Sequence, residues 1–420
     1  MSLKPSIYNF CFDVENEEVG IFNCLTKAFL VLDSREYDKL IHNNSSLPVN
    51  IKEKLIENGI LVSTTVNEHE MVNMSRAKSI YNTSKSVYRI FTTTDCNARC
   101  FYCYEKNTEY LYMSEDMAAD VAEFIIQHIG NRSCLIQWFG GEPLMNIKVI
   151  EIISSRLREV LGDSRVSFMM ITNGSLISDE IISKMINSWN IRHVQISLDG
   201  AFKEYNYRKN YVSILNPFDV VLKNIKRLLE NEIYVSLRIN YDAENYKKIP
   251  DLINILSQKF SKYNNLHVYA YHLFEMNQNV KSDLLVKEEW FYMQKVLIEA
   301  GFLNPLEAYS LSIRNTQCFA CSANSFVILP NGRLYKCAVA TKDKSACIGS
   351  IDEGITNYSV FETWCDPSLR EVCASCVFLP LCQGGCRAGV LGYMSEQCFT
   401  QKEFAADVLR ERLKYLRHKV

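Results

Sequence analysis

The stretch VYRIFTTTDCNARCFYCY at residues 87–104 joins a strand-like segment to a short loop with three cysteines, Cys96, Cys100 and Cys103. Three thiolates on one tight loop can ligate three irons of a cubane cluster, which usually has four protein ligands. The fourth iron is then open to a ligand that is not protein. A structural zinc site needs four protein ligands, and the next cysteine is Cys134, beyond a predicted helix. The loop therefore favours an iron–sulfur cluster with one open iron over zinc.

Strand-like and helix-like segments alternate after residue 87. The strands are VYRIFTTT, LIQWF, VSFMMITN, HVQISLD, YVSLRIN and LHVYAYHLF, and the helices are 114–129, 147–160, 178–188, 218–229, 246–260 and 287–300. Such alternation indicates a parallel sheet with helical crossovers. Six units predict an α/β fold built as a partial (β/α)6 TIM-like barrel, with the active site at the C-terminal ends of its strands.

The composition excludes some classes of partner. The 420 residues are 48% hydrophobic and 22% charged, which is enough apolar material for a folded core. Lysine and arginine number 46 against 48 acidic residues, so a net charge of -2 gives no reason to expect nucleic acid or an anionic membrane. The start MSLKPSIYNF does not resemble a signal peptide, and no run of about 18 apolar residues predicts a membrane span. We expect a cytoplasmic protein that binds neither nucleic acid nor membrane.

Sixteen cysteines in such a chain indicate metal or redox chemistry, because disulfides are disfavoured in the cytoplasm. Ten of them fall between residues 318 and 398, in a loop-rich region where bound metal would replace a hydrophobic core. Part of this region has the spacing Cys373-x2-Cys376-x5-Cys382-x3-Cys386. Three isolated cysteines in apolar strands are interpreted as core residues: Cys11, Cys24 and Cys134.

The residues around the first three cysteines, CNARCFYCYEKN, resemble the signature of the radical S-adenosylmethionine (SAM) superfamily. The resemblance implies SAM and a [4Fe–4S] cluster as cofactors. In that family the methionine amino and carboxylate groups bind the open iron, and one electron breaks a C–S bond of SAM. The resulting 5′-deoxyadenosyl radical abstracts a hydrogen atom from the substrate, while the protein supplies position and shielding from water.

Motifs at later strand ends resemble the SAM contacts of this family. WFGGEP, ITNG and SLDG follow the second, third and fourth strands. The resemblance implies that WFGGEP meets the methionine amino group, that SLDG meets the ribose and carboxylate, and that a later arginine binds the carboxylate. The residues that match are Tyr102 (for adenine), Gly140, Gly141, Glu142, Asn173, Ser197, Asp199 and Arg208. The His-Asp pair common before the arginine is Tyr205-Asn206 here.

The C-terminal cysteines, with CSANSFVILPNGRLYKC at residues 321–337, resemble the SPASM domain of peptide-modifying radical enzymes. The resemblance implies two auxiliary [4Fe–4S] clusters, and so three clusters in all. One would use Cys318, Cys321, Cys337 and Cys386, and the other Cys373, Cys376, Cys382 and Cys398. Two alternatives stay open: Cys318 or Cys321 is a spectator that leaves one iron open, or the CxxC pairs bind zinc. Cys347 and Cys365 fall outside the pattern and are interpreted as spare thiols.

Residues 1–80 predict a small α+β unit. SIYNFCFDVE, EEVGIFNCL and ILVST are strand-like, while SREYDKLIHN, with Ser34 as its N-cap, and IKEKLIENG are helical. The polar stretch 67–85 predicts a linker. GIFNCLTKAFLVL, the helices and the ENGILV end resemble the winged-helix peptide-recognition domain of maturases of ribosomally made peptides, which implies a leader peptide added to an open sheet edge. The predicted domains are this unit at 1–80, the barrel at 86–305, the SPASM domain at 310–405 and a C-terminal helix at 406–420.

These resemblances together predict a radical SAM maturase that closes a thioether, carbon–carbon or ether crosslink in a precursor peptide with a leader. A reductant such as flavodoxin or ferredoxin would supply electrons. One alternative is a sulfatase maturase that makes formylglycine, although Ala338 stands where that family has an aspartate base. Another is a non-enzymatic iron–sulfur electron carrier or a zinc-binding interaction protein. No catalytic base is identified, and Tyr104 and His272 are only candidates.

Overall fold

A computed structural model describes residues 2–82, 84–106, 108–273, 283–312, 317–394, 398 and 401–418, with the backbone alone at 283–285. The N-terminal unit has a three-stranded antiparallel sheet and a separate antiparallel pair. Its strands are β1 (Leu3–Pro5), β2 (Asn9–Val14), β3 (Glu18–Asn23), β4 (Phe29–Asp33) and β5 (Leu61–Ser63), and its helices are α1 (Ser34–His42), α2 (Val49–Glu57) and α3 (Glu68–Ile80). The sheet is β2-β3-β4, and the pair is β1-β5.

The structure corrects three details of this unit. The strand β4 follows β3, and Asp33, not Ser34, caps α1 by accepting a hydrogen bond from the backbone of Glu36. Residues 68–80 form a helix where the polar composition predicted a linker. That helix buries Val72, Arg76 and Ile80, which are four residues apart and lie on one side. The sequence does not show this buried side as an apolar pattern, because one of its residues is an arginine.

Six parallel strands and their helices form the barrel, as the alternation predicts. The strands are β6 (Lys85–Thr93), β7 (Ser133–Gly140), β8 (Val166–Thr172), β9 (Ile191–Leu198), β10 (Tyr234–Tyr241) and β11 (Leu266–His272). The helices are α4 (Glu115–Ile129), α5 (Ile147–Leu161), α6 (Asp179–Asn187), α7 (Phe202–Lys209), α8 (Pro217–Glu230), α9 (Ile249–Phe260) and α10 (Asp283–Glu299). Only α7 has no counterpart among the predicted helices. Phe274, the last residue of the sixth predicted strand, lies outside the described residues.

Alternate side chains along these strands have different surroundings. Ile90, Trp138, Met170 and Leu237 are completely buried in the large core beneath the helices. The side chains between them point to the opposite side of the sheet, because successive residues of a strand face opposite ways. We call that side the inner face. It opens toward the strand ends, where the candidate site lies.

The sheet continues past β6 into the cysteine-rich region. The strand β12 (Phe326–Ile328) pairs in parallel with β6, and β13 (Arg333–Tyr335), β14 (Gly349–Ser350) and β15 (Gly354–Ile355) follow, which makes a ten-stranded sheet. The remaining helices are short except the last: α11 (Pro305–Ala308), α12 (Tyr358–Cys365), α13 (Glu371–Ala374), α14 (Leu379–Cys382), α15 (Arg387–Val390) and α16 (Ala405–Arg417). The predicted C-terminal helix is α16, and residues 419–420 lie outside the description.

The N-terminal unit packs on this cysteine-rich region. Tyr8, Phe22 and Cys24 share one buried cluster with Phe378 and Phe404. The N-terminal unit therefore contacts the cysteine-rich region through this cluster, whereas the barrel joins that region through the ten-stranded sheet. No helix in the described ranges has the length and apolar character needed to span a membrane.

Candidate active site

The cysteine loop leaves the end of β6 and is held by the end of β7. The N–H of Gly141 donates to the carbonyl of Thr93 at 3.1 Å, and the N–H of Glu142 donates to the carbonyl of Asp95 at 2.9 Å. A Cβ on Gly140 would lie 2.1 Å from the Thr93 oxygen, and one on Gly141 would lie 2.0 Å from the Asp95 oxygen. Only glycine allows this approach, so the glycine pair fixes where the loop begins.

The three thiols of this loop are partly buried and influence one another. Burial raises the pKa of Cys96 to about 12 and that of Cys103 to about 11, and the charge of Cys100 adds to both. The Cys96 sulfur accepts a hydrogen bond from the N–H of Ala98 at 3.3 Å and one from Asn173 Nδ2 at 3.7 Å. Thiolates grouped away from water need positive charge between them, so the loop fits a metal cluster.

Glu142 is completely buried, and its carboxylate is occupied by donors from the protein. Oε1 accepts from the N–H of Leu144 at 3.1 Å and from Thr172 Oγ1 at 2.7 Å, and Oε2 accepts from the N–H of Asn173 at 2.8 Å. Burial nonetheless raises its pKa to about 7. These hydrogen bonds let Glu142 join β7 to β8 behind Cys96, which is a positioning role; the contact with SAM that the motif implies stays a prediction.

The replacement Glu142→Gln tests that positioning role. The glutamine amide places an NH2 donor where a carboxylate oxygen now accepts a hydrogen bond, so a buried donor loses its acceptor. We expect the free energy of unfolding to fall by about 1–3 kcal/mol. Urea unfolding of the anaerobic, cluster-loaded protein measures the change. Glu53→Gln, on the exposed side of α2, is the matched control and should cost less than about 0.5 kcal/mol. Equal stability of Glu142→Gln and the parent would contradict the role.

A second buried network lies at the ends of β9 and β10. Lys209, the last residue of α7, donates to Ser197 Oγ at 2.7 Å and to Tyr102 Oη at 3.0 Å, and its Nζ lies 3.2 Å from Asp199 Oδ2. Asp199 also accepts from Tyr102 Oη at 2.7 Å and from Asn240 Nδ2 at 2.8 Å. Burial acts to lower the pKa of Lys209, but Asp199 and Tyr102 raise it well above its usual value. The lysine is therefore the cation that balances Asp199.

Arg208 is completely buried beside this network but turns toward other acids. Its Nη2 pairs with Asp242, its Nη1 lies 3.9 Å from Glu204 Oε1, and its guanidinium stacks over Phe101 at 4.9 Å. Nε and Nη1 are buried and have no hydrogen-bond partner among the described residues. Two unused guanidinium donors fit the carboxylate-binding role that the SLDG-arginine pattern implies.

The sequence reasoning missed Lys209 and Asn240. Lys209 directly follows Arg208, and the pattern drew attention to the arginine alone. Asn240 is a polar residue near the end of the strand YVSLRINY, a position where barrels place functional side chains. The position of Asn240 near a strand end was therefore the one sequence signal of a role in the site. Of the expected residues, Asn173, Ser197 and Asp199 lie at the strand ends around the cysteine loop, and Tyr102 reaches Asp199 from within that loop.

The structure brings together the four cysteines that the SPASM resemblance assigns to one auxiliary cluster. They line one open cavity of about 390 Å³, and they are Cys373, Cys376, Cys382 and Cys398. The N-terminal unit adjoins this cavity, because Tyr8 and Cys24 belong to a buried cluster against which Cys376 and Cys382 pack. Within the described ranges, no three or more His, Cys, Asp and Glu side chains are placed to hold one metal ion.

The other four-cysteine set lies where β13 ends. Cys318 and Cys321 share a tight turn, in which the N–H of Cys321 donates to the carbonyl of Cys318 at 2.8 Å. Burial raises the pKa of Cys337 to about 11, with Cys318 and Cys386 adding to the shift. Burial likewise raises the pKa of Cys321 to about 12, again with Cys318 adding. All four thiols therefore interact within one region.

Five cysteines and the two candidates for a catalytic base, Tyr104 and His272, do not belong to the three cysteine sets. Cys24 and Cys134 are buried in hydrophobic clusters, and Cys11 is partly buried against another. Cys347 donates to the carbonyl of Gly349 at 3.2 Å, whereas Cys365 is buried beside Cys321. Burial raises the pKa of Tyr104 and lowers that of His272, whose Nε2 lies 3.0 Å from Glu289 Oε2. Both residues stay candidates.

The model of the Radical SAM superfamily matches residues 90–256. The chain is 26% identical over 255 residues to the radical SAM cyclopropyl synthase TigE of Paramaledivibacter caminithermalis, a match that covers 56% of this chain and 52% of TigE. It therefore spans about half of that relative. Among solved structures, anSMEcpe with bound AdoMet has a TM-score of 0.59 at 15% identity and covers 80% of this chain and 94% of that chain.

SuiB of Streptococcus suis superposes over more of the molecule. Its TM-score is 0.55 at 16% identity, and the match covers 92% of this chain and 96% of SuiB. These likenesses show the α/β fold with its large central sheet. The superfamily implies SAM and a [4Fe–4S] cluster as cofactors. Residues 90–256 of this chain are a radical SAM domain.

Proposed function

We propose that this chain is a radical SAM maturase of a ribosomally made peptide and installs an intramolecular crosslink. The observation that carries the proposal is the glycine-held cysteine loop, which lies at the strand ends beside Asn173 and the Lys209–Asp199 pair. When bound, SAM on the cluster would supply a 5′-deoxyadenosyl radical. A peptide substrate is supported by the solved relatives, since SuiB is bound to the precursor peptide SuiA and anSMEcpe to the Cp18Cys peptide.

The chain's own residues divide into holding and positioning groups. Cys96, Cys100 and Cys103 would hold the cluster. The backbone of Gly140 and Gly141, with Tyr102, Asn173, Ser197 and Asp199, would contact SAM, and Arg208 would offer its two unused donors to the methionine carboxylate. Glu142 and Lys209 would hold these groups in place. Both are buried and bound to neighbouring side chains, which is how a site is fixed before its ligand arrives.

The two C-terminal cysteine sets would hold auxiliary [4Fe–4S] clusters. Closing a crosslink removes two hydrogens from the peptide: one leaves as an atom that ends in 5′-deoxyadenosine, and the other leaves as a proton and an electron. Clusters held by the two sets would offer that electron an acceptor. We expect about twelve irons per chain after anaerobic reconstitution, and about eight after Cys382→Ala with Cys398→Ala. Zinc in place of the missing irons in the parent protein would contradict this part of the proposal.

The edge of β4 is the proposed docking site for a leader peptide, because no described strand pairs with its outer side. Two hydrogen bonds show which backbone groups of β4 face β3. The N–H of Asn23 donates to the carbonyl of Ala28, and the N–H of Ser34 donates to the carbonyl of Glu17, so the groups of every second residue in β4 face β3. By that alternation the N–H of Val31 points away from β3. A peptide added as a strand would use this group.

Val31→Pro tests the docking site. It removes an outward donor and leaves the β3–β4 ladder intact, so we expect leader affinity to fall by about tenfold or more with little loss of stability. The probe is the leader of a short peptide encoded beside the gene, and fluorescence anisotropy measures its binding. The control Val49→Pro lies on the exposed first residue of α2 and should bind like the parent. Unchanged binding by Val31→Pro would exclude this edge.

Turnover of that peptide tests the proposed function as a whole. The reconstituted protein, SAM and dithionite should yield a peptide that has lost two hydrogens. Tandem mass spectrometry should give no backbone fragments between the two crosslinked residues. A product that reacts with an aldehyde probe would favour the formylglycine alternative. The absence of both 5′-deoxyadenosine and modified peptide would favour the electron-carrier alternative.

A further inference from the structure

The inner face of the barrel is positively charged at two points. The six strands β6 to β11 contain no aspartate or glutamate. Arg89 lies between the outward-facing Tyr88 and Ile90, and Arg238 lies between Leu237 and Ile239. Both arginines therefore point to the inner face. Both are half-buried. Removing a cation from water without a partner is costly, so the surroundings of each arginine indicate what it does.

Arg89 is already engaged by neighbours. Its Nε and Nη2 donate to Gln137 Oε1 at 3.0 and 2.8 Å. Its guanidinium lies between two rings, 4.8 Å from the centroid of Phe139 and 4.7 Å from that of Phe319. The nearby charges of Cys318 and Cys337 act on it as well. Arg89 is thus part of the wall between the barrel and a cysteine set.

Arg238 is different, because no acidic side chain among the described residues forms an ion pair with it. Its guanidinium stacks 3.6 Å from the ring centroid of Tyr271. Its Nε is buried and has no hydrogen-bond partner in the part of the chain that the structure describes. The pairing register places it beside Ser197 on one side and Tyr269 on the other. It lies two residues before Asn240, the donor to Asp199, and so level with Ser197 and one layer deeper than Asp199.

Acidic groups around the strand ends already have partners other than Arg238, and Glu142 is occupied by neutral donors. Asp199 binds Lys209, Asp242 binds Arg208, and Glu289 lies 3.0 Å from His272. None of these pairs includes Arg238. A planar guanidinium stacked on an aromatic ring, with its Nε unpartnered among the described residues, can receive a carboxylate through parallel hydrogen bonds from Nε and an Nη.

We infer that Arg238 and Tyr271 form a subsite that binds a carboxylate of the substrate peptide, which places the reacting residue above it at the strand ends. The inference rests on the proposed peptide substrate. It predicts that the modified segment contains an aspartate or glutamate near the crosslink, or ends in a free carboxylate there. An acidic residue in the peptide would then fix the position of the peptide in the site. Its binding to Arg238 would determine which neighbouring residue faces the radical.

Three N-acetylated peptides are the probes: acetyl-Ala-Glu-Ala-amide, its Gln counterpart, and acetyl-Ala-Ala-Ala with a free C-terminus. Their binding to the reconstituted full chain with SAM is measured by saturation-transfer NMR. We expect the Glu peptide to bind, and Arg238→Gln to weaken it by about tenfold or more, with Arg238→Lys between the two. The Gln peptide should be indifferent to the change. Preferential binding of the third probe would also support the subsite and identify the chain terminus as the source.

Arg192→Gln is the matched control, because Arg192 is an exposed arginine at the opposite end of β9. It should bind all probes like the parent. Tyr271→Leu gives a second variant should Arg238→Gln fold poorly, and it too should weaken the Glu peptide. Equal binding of Glu and Gln peptides, or no binding of any probe, would overturn the inference. The inference would also be overturned if the Arg238→Gln protein lost affinity for SAM but bound the Glu peptide as tightly as the parent. Binding is read without turnover, so failure of the proposed function would not hide the result.

Discussion

Replacing Lys209 by methionine destabilises the protein by about 3–5 kcal/mol, the cost of leaving a buried charge without its partner. Lys209 and Asp199 are both buried, at 3% and 0% exposure, and their charged groups lie 3.2 Å apart. Tyr102 and Asn240 also bind Asp199, but both are neutral and cannot balance its charge. The variant should also lose SAM affinity, because Tyr102 and Ser197 depend on the same amine for their positions.

A double-mutant cycle separates this charge effect from lost packing. Asp199→Asn combined with Lys209→Met removes both charges and should regain part of the stability lost in Lys209→Met. The matched control is Lys248→Met: Lys248 pairs with Glu204 at 2.7 Å but is 58% exposed, so its loss should cost less than about 1 kcal/mol. Urea-unfolding midpoints of the anaerobic proteins measure all of these. If Lys209→Met cost no more than Lys248→Met, the buried pair would not be the anchor of the site.

Replacing Arg76 by methionine should cost about 2–4 kcal/mol and loosen the auxiliary cysteine sets. Arg76 lies in α3 and is buried, with 4% exposure. It donates to the carbonyl of Gln383 at 3.2 Å and to that of Pro367 at 2.8 Å. Each hydrogen bond from a charged group contributes about 1.5–3 kcal/mol, offset in part by burial of the cation. Gln383 directly follows Cys382, so the effect should reach the cysteines.

Iron content and the unfolding midpoint measure that effect. We expect Arg76→Met to bind up to about four fewer irons than the parent after the same reconstitution. Lys78→Met, an exposed position on the same helix, should match the parent in both measurements. An Arg76→Met protein with full iron content and parental stability would mean that α3 merely covers the cysteine region.

The sequence predicted the parts of the fold that follow a regular pattern. The six barrel strands and most of their helices were found because hydrophobic residues alternate in a simple period. The helix α3 was missed because its buried face includes Arg76, which composition assigns to the surface. The extension of the sheet through β12 was missed because three residues are too short to show a period.

The site was predictable where chemistry requires one residue type. The cysteine loop was identified because thiolates are the usual ligands of iron–sulfur clusters, and the glycine pair because WFGGEP resembles a family motif. The structure adds the reason for the glycines, since a Cβ at either position would meet the carbonyl of Thr93 or Asp95. The partners of the acids were not predictable. Which of two adjacent cations meets Asp199 depends on how α7 ends, and the structure places Lys209 there and turns Arg208 toward Asp242.

The central claim is that Cys96, Cys100 and Cys103 hold the cluster at which SAM is cleaved. The most direct measurement is 5′-deoxyadenosine formed from SAM by the reconstituted protein with dithionite. A protein with all three cysteines replaced by alanine should form none. The control Cys347→Ala, which changes a cysteine outside the three sets, should form as much as the parent. Formation of 5′-deoxyadenosine at the parental rate by the triple variant would contradict the account.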